Sequence, residues 1–320
     1  MLYRLFLTVI ALSLPATDGL AKEPFKPKPI NVESYAESFT SIVDLSDGTY
    51  VLLQLLITNA GIGDQKAACR ALLVRPGSKA INSAHRVSRD DWSYSKQDGA
   101  LYVDKCSLSS LGKKTDFVVK TDELQVYLTI EQAPSIQKTP GHYIKSGKDF
   151  LESEVLIPFA KASASLMLGG RSIKRSGWAY LDHARSTALL PDVAARWFRF
   201  RGFYGGEPVL VQLRYPPKGG KPVGWIWEKG SAHPSKLASA SITRKTVKSK
   251  NIIGFKHRSK SFEITTGEMI FEYKPVEEYG FLGTLAKPWV GNPVNTSFRA
   301  VMLSDGLKLK GTLEYQELNP

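Results

Sequence analysis

Apolar and polar residues alternate along most of this chain with a period of two, the spacing of half-buried strands. The stretches "ALYVDKCSLSSLG" and "DELQVYLTIEQAP" show it most plainly, as antiparallel strands with one solvated face do. "SFTSIVDLSDGTYVLLQLLITNAG" reads as two strands with a turn at Ser46–Gly48, where Asp47–Gly48 favours a hairpin. "AACRALLVRPG" supplies a strand ended by Pro76–Gly77, and "SASLMLGGRSIKRSGWAYLD" predicts a hairpin turning at Gly169–Gly170. After a polar break, "HARSTALLPDVAA", the pattern restarts. "RWFRFRGFYGGEPVLVQLRYPPKGGKPVGWIWEKG" predicts a three-strand meander with turns at Gly205–Gly206 and Gly219–Gly220. Further strands run through "SITRKTVKSK", "SFEITTGEMIFEYKP" and "TSFRAVMLSD" to "LKGTLEYQEL".

Few segments hold helical periodicity beyond about three turns, so the fold class is all-β. The halves echo each other: "DGTYVLLQLLIT" and "GGEPVLVQLRYP" share a turn followed by an apolar run broken by glutamine. So many antiparallel strands avoid open edges most simply by curling into barrels. The expectation is two antiparallel β-barrels in tandem, over 22–190 and 191–320.

The first residues, "MLYRLFLTVIALSLPATDGLA", have the layout of a secretory signal over 1–21: an early arginine, an apolar run and small residues. The apolar run is too short for the ~20 residues of a membrane span. Removing it leaves about 300 residues, comfortable for two domains. The expected location is periplasmic or secreted. A Pro- and Lys-rich lead, "KEPFKPKPINVES", follows as an extended surface segment. In an oxidising compartment Cys69 and Cys106, the only two cysteines, are expected to pair as a bridge between neighbouring strands.

The net charge of +13 persists in the mature chain. Export disfavours nucleic acid as a partner, and the charge suits an anionic lipid or envelope surface; a solvated basic exterior explains it as well. Arg244, Lys245, Lys248, Lys250, Lys256, Arg258 and Lys260 concentrate it.

The chemistry worth weighing lies in "GWAYLDHARST", Gly177 to Thr187. As a strand it puts Trp178, Tyr180 and Asp182 on one face and Ala179, Leu181 and His183 on the other. An aspartate among aromatics, pointing into a barrel, would lose hydration and gain proton affinity. It could then protonate an alkene, with aromatic faces steadying the carbocation. Alternatively Asp182 accepts hydrogen bonds from an arginine (Arg185, Arg196, Arg199 or Arg201) and fastens the two domains, while His183 caps a strand end. Breaking such a buried pair with Asp182→Asn would cost about 3–5 kcal/mol. An unpaired acid so replaced would leave folding intact. Trp178, Trp197, Phe198, Trp225 and Trp227 could line a ligand cavity, or fill cores.

An ordered series of motifs resembles the tandem lipocalin-like family of carotenoid hydratases (hydroxyneurosporene synthase), AttH-type proteins and fungal survival-factor proteins. The series is "SDGTYVLLQLLITN", "IPFAKASASLMLGGRSIKRSGWAYLDH", "RWFRFRGFYGGEPVLVQLRY" and the Gly-x-Leu-Glu-Tyr of Gly311 to Tyr315. Gly177, Tyr180, Asp182 and His183 match its signature of Gly-x-x-Tyr/Trp-x-Asp followed by His or Arg, whereas Ala184 to Thr187 depart from the usual tail. The resemblance implies two lipocalin-like barrels binding an apolar ligand such as a lipid or isoprenoid. It also implies, as the alternative, a cofactor-free hydratase or isomerase with Tyr180 and Asp182 at the double bond and His183 as the third candidate catalytic residue. The departing tail weakens the case for carotenoid hydration.

His85, His142, His233 and His257 stand apart from any ligand spacing, so no metal or other cofactor is expected. There is no Gly-x-Ser-x-Gly elbow, and "GFYGGE" precedes no helical pattern.

Overall fold

The computed structural model describes residues 23–59, 64–275 and 292–319. The expected signal over 1–21 lies outside them.

Two antiparallel sheets carry the chain, as the period-two pattern requires. The first begins with β1 (Ala36–Leu45), β2 (Tyr50–Thr58), β3 (Lys66–Val74), β4 (Ile81–Val87) and β5 (Trp92–Ser95). It continues through β6 (Ala100–Val103), β7 (Cys106–Leu111), β8 (Lys114–Lys120), β9 (Gln125–Ile130) and β10 (Tyr143–Ser146). The long pair β11 (Asp149–Leu168) and β12 (Arg171–Ser186) completes it, reversing at Gly169–Gly170. Both glycines have positive φ, +54° and +76°, as a two-residue hairpin loop demands. A single helical turn, α1 (Leu190–Val193), occupies the polar break.

The second sheet opens with the expected meander: β13 (Arg196–Tyr204), β14 (Val209–Tyr215) and β15 (Val223–Glu228). Then come β16 (Ser235–Lys236), β17 (Thr243–Val247), β18 (Lys250–His257) and β19 (Lys260–Tyr273). The last two are β20 (Asn292–Ser304) and β21 (Leu307–Asn319).

The strand orders match. The first sheet runs β4-β3-β2-β1-β12-β11-β9-β8-β7-β6-β5, the second β16-β15-β14-β13-β21-β20-β19-β18-β17. In each, the first strand pairs with the second and with the last, so the repeated motif marks β2 and β14, the second strands of their sheets.

The first sheet curls into a near-closed barrel around Phe39, Leu53, Leu55, Phe117, Leu128 and Ile157. Phe25, from the lead segment, is fully buried in that core and meets Phe39 edge to face. The second sheet forms a half-barrel around Phe198, Phe200, Val211, Ile253, Phe255 and Leu313. Cys69 and Cys106 are joined, but not between neighbouring strands. They sit on β3 and β7, near opposite margins of the first sheet, so the bridge spans the seam where the curled sheet meets itself. A local strand pattern carries no information about which margins meet.

Candidate functional site

The outer faces of the two sheets meet in a third apolar cluster. Ile42, Tyr50, Leu72, Val155 and Tyr180 come from the first sheet, and Leu210, Trp225 and Trp227 from the second. This junction decides where the GWAYLDH face points. Ala179 and Leu181 belong to the first barrel's core, whereas Tyr180 belongs to the junction. Asp182 shares the Tyr180 face, so it points out of its barrel towards the second sheet, not into the barrel. The alternation is as expected. The polarity is reversed because both faces of β12 are buried, and only the second sheet distinguishes them.

A chain of buried charges threads the junction. Asp182 Oδ2 accepts from the Tyr180 hydroxyl at 2.9 Å and from Arg199 Nη1. Arg199 Nε donates to Glu314 Oε2 at 2.6 Å. Arg201 places Nη1 2.9 Å from Glu314 and Nε 3.4 Å from Asp44. Tyr50 donates to Glu314 Oε1 at 2.9 Å, and Thr312 donates to Asp44. Burial pushes the Asp182 carboxyl up against the opposing pull of Arg199 and the Tyr180 hydroxyl. Glu314 is also desolvated, but two guanidiniums hold it below the usual carboxylate range. Arg199 is raised well above its ordinary value by Glu314, Tyr180 and Asp182, although burial opposes this, and it stays charged.

Two glycines let the chains approach closely enough for this network. A Cβ on Gly177 would overlap the Asp44 carbonyl oxygen on β1, and one on Gly311 would overlap the Arg201 carbonyl oxygen on β13. Asp44 and Arg201 thus lie on the two strands that these motif glycines admit.

Beside the network opens a cleft of about 350 Å³. Leu52, Leu72, Leu151, Leu190, Trp197 and Phe271 supply its apolar wall. Tyr50, Gln54, Arg70, Arg199, Gln212 and Glu314 are among its polar groups. The space lies between domains, where small-molecule sites are commonly found, and its size falls in the usual range.

No family model matches this chain, and no curated protein matches it in sequence. Solved structures do resemble it. A protein of Nitrosomonas europaea described as AttH superposes with a TM-score of 0.60 at 13% identity, covering 89% of this chain and 92% of that one. Kievitone hydratase from Nectria haematococca gives 0.57 at 10% identity, over 89% and 88%. CghA with Sch210972 gives 0.58 at 9% identity, over 89% and 88%. The fold is the lipocalin-like tandem barrel.

Within this tandem barrel the expected site residues scatter. Of the five aromatics, only Trp197 stands in the cleft wall. Phe198 is in the half-barrel core, and Trp225 and Trp227 fill the junction. Trp178 stacks on Phe203 at 5.5 Å, with Lys161 Nζ 4.0 Å from its ring centre. Asp182 and Tyr180 stand behind Arg199, outside the wall.

His183 is not a strand-end cap. It faces the barrel interior, stacked on Phe39 at 4.4 Å, with Nε2 2.7 Å from Glu37 and Nδ1 3.5 Å from Glu154. Burial works against its charge, but the two carboxylates raise its proton affinity, while Glu37 and Glu154 are lowered in return. Tyr35 and the Lys28 backbone N–H also donate to Glu37, tying the lead segment to this triad.

The sequence points to Arg199 and Arg201 as partners of Asp182 but does not single out Asp44, Tyr50 or Glu314. The available signal was a lone acid within each apolar strand, "SIVDL" and "GTLEY", facing an Arg-Phe alternation elsewhere. A buried acid of that kind needs a cation.

Proposed function

We propose that this protein binds a hydrophobic small molecule, a lipid or isoprenoid, in the cleft between its barrels, and that it does so as an exported protein of the cell envelope. The cleft itself carries the reading: a domain-boundary space of about 350 Å³ whose aliphatic and aromatic wall of Leu52, Leu72, Leu151, Leu190, Trp197 and Phe271 is interspersed with polar side chains. The basic hairpin of β17 and β18, exposed at Lys245, Lys248, Lys250 and Lys256, suits an anionic surface in that compartment. Titrating the purified protein with 1-N-phenylnaphthylamine should give saturable fluorescence enhancement. The cleft-filling variant Gln212→Trp should abolish it. Enhancement that persists in that variant would refute the assignment.

A second reading makes the protein a cofactor-free hydratase or isomerase in which Asp182 protonates an alkene, assisted by Tyr180. It is supported by the upward push of burial on the Asp182 carboxyl and by its 2.9 Å contact with the Tyr180 hydroxyl. Binding is preferred because Arg199 intervenes between Asp182 and the cleft. Hydration of an isoprenoid alkene by the wild type, lost in a folded Asp182→Asn variant, would reverse that preference.

A further inference from the structure

The cleft does not end at the junction. A second groove of about 330 Å³ adjoins it, and Gln54, Arg70 and Tyr273 line both, so the two lie end to end as an elongated channel-like surface. Its floor is the outer face of β2, β3 and β4, and the strand register lays it out in rows. Leu52 pairs with Leu72 and Leu72 with Asn82; Gln54 pairs with Arg70 and Arg70 with Ala84. In the outermost row Leu56 pairs with Ala68 and Ala68 with Arg86. Successive rows lie about 6.7 Å apart, so the floor from Tyr50 to Leu56 extends roughly 20 Å. It is apolar at the junction end, small-residue further out, and cationic at Arg70 and Arg86.

The charges along this channel are not equivalent. Arg199 and Glu314 neutralise each other in the wall. Among the described residues, neither Arg70 nor Arg86 is ion-paired with a carboxylate. Arg70 is nonetheless held in place: Nε donates to Asn82 Oδ1 at 2.8 Å, and its guanidinium lies 4.1 Å from the Tyr273 ring centre. A planar, anchored guanidinium is a good receptor for a carboxylate or phosphate.

The two halves differ at the matching place of the repeat. The echo sets Gln212 of β14 where β2 has Gln54, and both line the cleft. Across the ladders, Gln54 faces Arg70 on β3, while Gln212 faces Trp225 on β15. Trp225 is buried in the junction. One half therefore offers a cation beside open space, and the other half fills the matching place with indole.

We infer that the channel takes a single-chain anionic amphiphile, its tail in the interdomain cleft and its acidic headgroup at Arg70 and Arg86. This rests on the cleft being the ligand site. Decanoate, decyl phosphate and decanol have matched tails, so calorimetric titration with each separates headgroup from tail. At least one of the two anions should bind about tenfold or more tighter than decanol, the margin of a charge-assisted hydrogen bond; whichever anion is favoured names the headgroup. Arg70→Gln should erase that margin and leave decanol unchanged, while Arg70→Lys should keep part of it. The exposed Arg86→Gln should reduce it without disturbing the fold. Equal affinity for all three probes, or a margin that survives Arg70→Gln/Arg86→Gln, overturns the headgroup assignment and leaves the cleft standing. Binding of all three that is untouched by Gln212→Trp, or no binding of any, overturns both.

Discussion

Replacing Arg199 by methionine should injure this protein more than any change to Asp182. The junction holds three carboxylates (Asp44, Asp182 and Glu314) against two guanidiniums, Arg199 and Arg201. Arg199→Met leaves three acids facing one cation in a buried space. Removing one partner of a buried pair costs about 3–5 kcal/mol. The Arg199 side chain keeps 20% exposure, which favours the lower figure. For about 300 residues unfolding cooperatively, 1 kcal/mol is worth roughly 1.6 °C, so a fall of about 5 °C is expected. Asp182→Asn instead balances the charges at two and two, and the amide oxygen can still accept from Tyr180 and Arg199. Its cost should be about 1 kcal/mol or less, below the 3–5 kcal/mol expected of a simple isolated pair. In Arg199→Met/Asp182→Asn the stranded acid is gone, and about 2 kcal/mol should return as coupling energy. Thermal melts of the four proteins at pH 7, followed by circular dichroism, provide the measurement. If Asp182→Asn falls as far as Arg199→Met, or Arg199→Met melts with the wild type, the charge-balance account is wrong. A mild Asp182→Asn phenotype is expected whether or not that residue does chemistry.

Three further outcomes are expected. Cys69→Ala/Cys106→Ala should lose about 4 kcal/mol by the loop-entropy relation for a separation of 37 residues, seen as a lower urea midpoint that reductant no longer shifts. His183→Gln should cost about 3–5 kcal/mol by stranding Glu37 and Glu154. The raised His183 contributes stability fully below its ordinary 6.5 and loses it as pH rises through the elevated folded value. Glu37 and Glu154 contribute above their ordinary 4.5 and lose it as pH falls. The gap between wild type and His183→Gln should therefore be widest near pH 5.5 and narrow as pH rises into the alkaline range, and a gap that widens with alkali would contradict the triad. Gly177→Ala, which drives a methyl group into the Asp44 carbonyl, should cost about 3 kcal/mol or more, and soluble protein with an unchanged melt would argue against the close approach.

The all-β class, the hairpin turns and the two tandem units were legible because each rests on local pattern. Gly169–Gly170 turns where two glycines stand together, and β13 and β15 follow their alternating aromatics. The direction of Asp182 was not legible. Alternation assigns a residue to a face, but on β12 one face meets its own barrel and the other meets the second sheet, and both are apolar. Asp44 and Arg201 meet across a separation of 157 residues, and Thr312 reaches Asp44 across 268, so no window of sequence contains the network. The triad of Glu37, Glu154 and His183 was hidden for a similar reason, since its members lie on β1, β11 and β12. The cysteines announced a bond without naming its strands, because the margins of a curled sheet meet only after curling.

The contact between Asp44 and Arg201 carries a further consequence for how far each half depends on the other. Asp44 stands on β1, and its side-chain partners Arg201 and Thr312 both stand on the second sheet. Arg201 has Glu314 of its own sheet beside it as well as Asp44. The dependence is therefore one-sided: lifting the sheets apart would strip Asp44 of these partners and leave a bare carboxylate on the face of its sheet, whereas Arg201 would keep an acid within its own half.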